Sequence, residues 1–261
     1  MKIAWFTPYN KESAIGKYSQ ISSKIISKKH DVTLWVSESE VDLHEVFIPI
    51  IRYNFSDLNL IYQLNQYDIV VYNFGDNYKF HKDIFEVYKM KAGVVILHDY
   101  FMHDFFLEYF LQKDISLKQY FDSIGLIYGE KIKSVFEKSF HGKTKTSMWE
   151  TNKIDAYPLF EPLLINATGI IGHSSQTMSL LEKIYPGYIT ELKSPYINSY
   201  VKTPVIPKKM TLSSNKVRLL TIGHINSNKR IDKVIKAIGN SKMLSNSVQY
   251  DVIGLHNNDG K

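Results

Sequence analysis

Lys2-Ile3-Ala4-Trp5-Phe6-Thr7 and, one amphipathic segment later, Asp31-Val32-Thr33-Leu34-Trp35-Val36-Ser37 carry the clearest mark of the fold class. Each is a short run of bulky and β-branched side chains, the pattern of a buried strand. Between them Ile15, Tyr18, Ile21, Ile25 and Ile26 recur at helical spacing, which predicts a helix with those residues on its buried face. Strand, helix and strand over so short a span form a βαβ unit. Its strands run parallel, because a helical crossover returns the chain in its starting direction.

The alternation continues outward. Residues 46–51 are predicted as a strand and 57–64 as a short helix. Residues 68–74 are almost wholly apolar, as suits a strand covered on both faces. Residues 78–90 read as a helix, and 93–97 as a strand ending at His98-Asp99. A largely helical region covers 102–140, and a polar loop covers 141–147. A helix is predicted over 155–167, with Pro158 near its start. A strand at 169–172 leads to His173-Ser174, and a helix at 176–184 stops at Pro186-Gly187. The proline- and lysine-bearing stretch 202–215 reads as a linker. After it the pattern restarts: strand 216–222, helix 229–243, strand 248–253.

The fold class is therefore α/β. A Rossmann-like, doubly wound parallel sheet is predicted for residues 1–201, and an incomplete second Rossmann-like unit for 216–261. A doubly wound domain needs ~100 residues or more, so 216–261 reads as the truncated start of one. A single βαβ unit cannot cover both faces of its strands. Residues 216–254 thus call for a covering neighbour, either a second copy in a homo-oligomer or a partner chain.

Composition narrows the chemistry. Lys and Arg number 32 against 26 Asp and Glu, a net charge of +6, which favours anionic partners such as nucleotide phosphates or lipid headgroups. No basic run is interleaved with a reading motif, so nucleic acid is not expected. The absence of cysteine excludes disulfides, thiolate catalysis and Cys-ligated zinc. No apolar run approaches the ~20 residues that span a bilayer, and the N-terminal run is too short for a signal peptide core. A cytoplasmic location is expected, with peripheral contact at the inner face of a membrane.

In open parallel sheets ligands gather beyond the carboxyl ends of the strands. That rule selects four loops. Ser13-Ala14-Ile15-Gly16-Lys17-Tyr18-Ser19 lacks both the dinucleotide glycines and a Walker A pattern. It reads either as a helix capped by Ser13 or as backbone N–H groups around Gly16 offered to a phosphate or sugar. His98-Asp99 sits where a group that binds a hydroxyl, stabilises charge or moves a proton belongs; Asp99 reads equally as a helix cap. His103-Asp104 follows closely, but without an i, i+4 histidine pair no metal is expected. His173-Ser174 offers a histidine and a helix-capping serine, without a Ser-His-Asp order or a G-x-S-x-G elbow. The aromatic run 102–111 reads as core, as an acceptor pocket lining or as a membrane-facing surface.

The fourth loop is Gly223-His224-Ile225-Asn226-Ser227-Asn228-Lys229-Arg230. Glycine permits close backbone approach, and a helix start binds anions. A lysine there opposes the helix dipole unless an anion lies between them, so Lys229 with Arg230 points to a diphosphate.

Taken together, these segments resemble the GT-B glycosyltransferases of the retaining family 4 type. Four stretches carry the likeness in order: 3–19, Val94-Val95-Ile96-Leu97-His98-Asp99, Gly169-Ile170-Ile171-Gly172-His173-Ser174, and Leu220-Thr221-Ile222-Gly223 through Lys229-Arg230-Ile231-Asp232. The resemblance implies an acceptor-side N-terminal domain, a C-terminal domain that binds a nucleotide-diphosphate sugar, and neither metal nor other cofactor. It implies that Gly16 lies near the donor, that His98 contacts the transferred sugar, and that Gly223, His224, Lys229 and Arg230 hold the diphosphate. The sugar would pass to a hydroxyl of a glycan or lipid-linked acceptor with retention, as in polysaccharide biosynthesis. His224 stands where the family usually has Arg, and the paired-glutamate motif of the donor domain has no counterpart, so this chain alone is expected to be inactive. The alternative is a non-catalytic GT-B-like partner or binding subunit.

Overall fold

Seven strands build the sheet that organises the first part of the chain: β1 (Lys2–Phe6), β2 (Asp31–Val36), β3 (Ile50–Arg52), β4 (Ile69–Phe74), β5 (Gly93–Leu97), β6 (Ala167–Gly172) and β7 (Tyr188–Glu191). Their order is β3-β2-β1-β4-β5-β6-β7, and every neighbouring pair is parallel. The structure, a computed structural model, describes residues 1–37, 43–112, 117–143, 152–193, 216–223, 225 and 229–254. The chain divides into two units, Met1–Tyr196 and Ile197–Lys261.

Side-chain alternation splits the core of the first unit between the two faces of the sheet. On one face Phe6, Tyr72, Phe74, Val95 and Leu97 pack beneath α2 (Leu60–Leu64), α3 (Tyr78–Met90), α4 (His103–Gln112), α5 (Leu117–Tyr128), α6 (Glu130–Phe140) and α7 (Ser175–Ile184). Phe85, Phe105, Tyr120 and Phe136 fill this side and make it strongly aromatic. On the other face Ile3, Trp5, Val71 and Ile96 pack against Tyr18 and Ile26 of α1 (Ala14–Ile26) and against Leu43 and Ile48. Helices on both faces of a parallel sheet make this a doubly wound, Rossmann-like α/β unit.

Helix α1 turns a different side to the sheet than its isoleucines predict. Ile25 is exposed, while Gly16, Ser19, Ser22 and Ser23 are buried along with Tyr18. These small residues let the helix approach closely, and Ser19 Oγ accepts a hydrogen bond from Trp5 Nε1 at 3.0 Å and meets Thr7 Oγ1 at 2.6 Å. The strand expected over 46–51 shrinks to β3, because Pro49 has no N–H for a ladder and only its carbonyl is used, by Leu34 N. The helix expected over 57–64 begins at Leu60.

The helix expected over 155–167 is absent. Two 3-10 turns, Asn152–Ala156 and Glu161–Leu164, stand there instead, and β6 begins at Ala167. Pro158 and Pro162 remove two backbone donors. Leu159 takes a left-handed φ of 59° and donates its N–H to Tyr128 Oη. Strand β7, absent from the sequence reading, follows Pro186-Gly187.

In the second unit β8 (Val217–Ile222) pairs in parallel with β9 (Val248–Ile253). The helix expected over 229–243 is two: α8 (Ile231–Gly239) and α9 (Lys242–Ser247). Gly239 ends the first, and Ser241 caps the second by accepting from Leu244 N at 3.3 Å. Val217, Leu220, Ile222 and Ile253 are exposed. The linker 202–215 lies outside the described residues. No described helix is long and apolar enough to cross a membrane.

Candidate functional site

Strand register assembles the site. The sheet reverses its winding between β1 and β4, so the carboxyl ends of these strands diverge into a crevice. Leu97 at the end of β5 pairs with Gly172 at the end of β6. The next residue on each strand is a histidine, so His98 and His173 leave the sheet side by side with ring centroids 4.8 Å apart. One strand over, Asn73 pairs with Ile96, which sets its amide at the same edge.

A continuous hydrogen-bond chain crosses these strand ends. Asn73 Nδ2 donates to the Phe6 carbonyl at 2.8 Å, which turns Asn73 Oδ1 toward His98 Nε2 at 3.0 Å. His98 Nδ1 meets His173 Nε2 at 3.1 Å, and His173 Nδ1 donates to the Leu192 carbonyl at 2.6 Å. Tyr18 packs against both imidazoles, at 4.6 Å from His98 and 5.2 Å from His173. His81 on α3 donates through Nδ1 to the Asn73 backbone carbonyl at 3.1 Å.

A cavity of about 510 Å³ opens beside this chain, bordered by Ser13, Ile15, Lys17, Tyr18, His98 and Asp99. Ala14 also borders it, and the first-turn N–H groups of a helix have no intrahelical partner. Burial sets the electrostatics here. It holds the His98 imidazole well below its ordinary pKa, helped by the neighbouring His173 and His81. Burial likewise lowers His81 to about 4. Asp76 moves the other way: burial pushes its carboxyl up to about 8, against the opposing backbone N–H groups of Phe105 and Asp104.

The residues selected from sequence take varied positions. Ser13 caps α1, accepting from Gly16 N at 3.1 Å. Gly16 itself is required by packing, since a Cβ there would lie 2.7 Å from the Pro8 carbonyl oxygen and 2.9 Å from the His44 ring. Ser174 caps α7 by accepting from Thr177 N at 3.2 Å. Asp99 accepts from Asp76 N at 2.9 Å, while Asp76 accepts from Phe105 N at 2.9 Å and so caps α4 in the role proposed for Asp99. In the second unit Gly223 has φ 131°, a conformation glycine tolerates, and a Cβ built on it would stand 3.6 Å from Lys229 Nζ. Arg230 adopts φ 51° just before α8, whose start has no side-chain cap. His224 lies outside the described residues.

Sequence reasoning picked out His98 and His173 separately, included Tyr18 only as part of the stretch Ser13 to Ser19, and missed Asn73 and His81 as site residues. Asn73 did leave a signal: it is the one amide inside the apolar run Ile69–Phe74, and a buried amide needs partners. Among the described residues no group of three or more His, Cys, Asp or Glu is arranged to hold a metal. The described structure is a Rossmann-like α/β unit with a histidine pair at the carboxyl edge of its sheet. Comparison with protein-family models and with curated proteins returns no match.

Proposed function

We propose that the chain belongs to a retaining GT-B glycosyltransferase, with the first unit on the acceptor side and the second opening the unit that binds a nucleotide-diphosphate sugar. The observation that carries this reading is the cavity of about 510 Å³ at the carboxyl edge of the doubly wound sheet, bordered by His98 and by the start of α1. First-turn N–H groups at that start, beyond the one that Ser13 caps, suit a hydroxyl or an anionic oxygen. Lys229 supports the same reading, because its ammonium lies on the side of Gly223 where a Cβ would stand, 3.6 Å from that position, and the helix that follows starts without a side-chain cap. An ammonium in that position would offset charge as a diphosphate leaves. The acceptor would be a hydroxyl of a glycan or a lipid-linked saccharide.

The test is nucleotide binding and sugar-nucleotide hydrolysis. Nucleoside diphosphates are titrated into the chain and into the same chain extended by a complete nucleotide-binding domain. Hydrolysis by the extended chain that falls roughly tenfold or more in Lys229→Ala supports the proposal. Unchanged hydrolysis in that variant overturns the diphosphate role of Lys229, and neither binding nor hydrolysis in either form overturns the proposal and leaves a non-catalytic partner subunit.

A further inference from the structure

The ends of the histidine chain can only accept hydrogen bonds. At one end stands the Leu192 carbonyl. At the other stands Asn73 Oδ1, because its amide nitrogen is committed to the Phe6 carbonyl. Between them lie three contacts, of 2.6, 3.1 and 3.0 Å, and each needs one proton. Two neutral imidazoles carry one N–H proton each. The three contacts therefore require one proton more than a neutral pair supplies, whichever ring is charged.

We infer that His98 and His173 hold this extra proton in common, as a singly charged pair, and that His173 is the positioning residue that donates to His98 Nδ1 and so holds the ring at the cavity. The charge resides on His173, whose Nδ1 contact with Leu192 lies at the exposed end of the chain. His98 is the more enclosed ring, set between Tyr18, Asn73 and His173. It is then neutral, with its proton on Nε2 donated to Asn73 and its Nδ1 accepting from His173. The depressed basicity of His98 agrees with that division.

The groups facing the pair are few. Tyr18 comes from α1, Asn73 from β4, and His81 lies behind on α3. The nearby Asp99 carboxylate accepts from Asp76 N. Among the described residues no carboxylate forms an ion pair with either ring. The positive charge is stabilised by backbone and amide oxygens alone, which makes it sensitive to pH and leaves it able to attract an anionic or electron-rich ligand group. The pair would hold its proton whether or not the site transfers a sugar.

Nitrogen-15 NMR of the histidine rings in the whole chain tests this. At about pH 6, near the ordinary titration range of histidine, His173 should show two protonated nitrogens and His98 one, on Nε2. Raising the pH should move both rings' signals in one shared step as the proton leaves. His173→Gln supplies two neutral N–H donors in one amide. It should keep His98 in the Nε2–H form and abolish the shared step. His173→Phe supplies none and should abolish the step, while the Asn73 oxygen keeps the His98 proton on Nε2. Two neutral rings at about pH 6, or a His98 signal and titration unchanged by His173→Gln, would overturn the inference. If the Phe variant fails to fold, the wild-type spectrum and the Gln variant still decide the matter.

Discussion

Acidification should destabilise the first unit through His81, and the effect can be worked from its surroundings. The ring is 1% exposed and is held neutral by burial, with a folded pKa of about 4 against an ordinary 6.5 in the unfolded chain. Because the folded value is depressed, the neutral form is favoured by folding. Its contribution is fully present above pH 6.5 and is lost as the pH falls through about 4. Within that window the unfolded chain binds one proton more than the folded chain, so stability should fall by about 1.4 kcal/mol per pH unit, or roughly 3 kcal/mol in all. His81→Asn keeps a donor toward the Asn73 carbonyl and removes the titration. Urea unfolding followed by circular dichroism, from pH 7 down to pH 4, should show the two stability curves converging by about 3 kcal/mol. Asp76 titrates in the opposite sense, but it is common to both proteins and cancels in the difference. Parallel curves would refute the account and place a protonated or solvated imidazole at position 81.

Other changes should be equally readable. Asp76→Asn should flatten a loss of stability with rising pH. A carboxyl raised to about 8 contributes stability below the unfolded value near 4, and this declines toward about pH 8; urea midpoints across that range measure it. Gly16→Ala should cost about 1–3 kcal/mol in chemical denaturation, because the new methyl meets the Pro8 carbonyl and the His44 ring. Ser174→Ala should cost about 1 kcal/mol by removing the α7 cap. A melting temperature unchanged by that substitution would mean that the cap contributes nothing measurable.

Much of this architecture is legible in the sequence because parallel strands are written as apolar runs. β4 and β5 fall almost where residues 68–74 and 93–97 predict them. The misread parts have local physical causes. Counting apolar residues on α1 overlooks that serine and glycine can face a sheet when closeness and hydroxyl bonds replace bulk, as at Gly16 and Ser19. Pro158 was accommodated as a helix start, whereas Pro158 and Pro162 together break the segment into two turns. β7 has only four residues, Tyr188–Glu191, too few for a clear alternation. The strand-end rule found His98 and His173 individually. Their pairing depends on the register of β5 against β6, a relation between residues 75 apart in the chain that no local pattern encodes.

The strand order β3-β2-β1-β4-β5-β6-β7 has a consequence for how the chain is made. β1 is synthesised first and ends in the middle of the sheet. β2 and then β3 extend one side of it, and β4, β5, β6 and β7 extend the other. Each strand, as it emerges, therefore finds its neighbour already present with an open edge, and none has to insert between two paired strands. A sheet so dependent on distant pairings would ordinarily assemble slowly. Here vectorial synthesis supplies the pairings in the order in which they are needed, so a circular permutant opened between β1 and β2, in which β1 comes last and must insert between β2 and β4, should refold to the same sheet but lose that advantage on the ribosome.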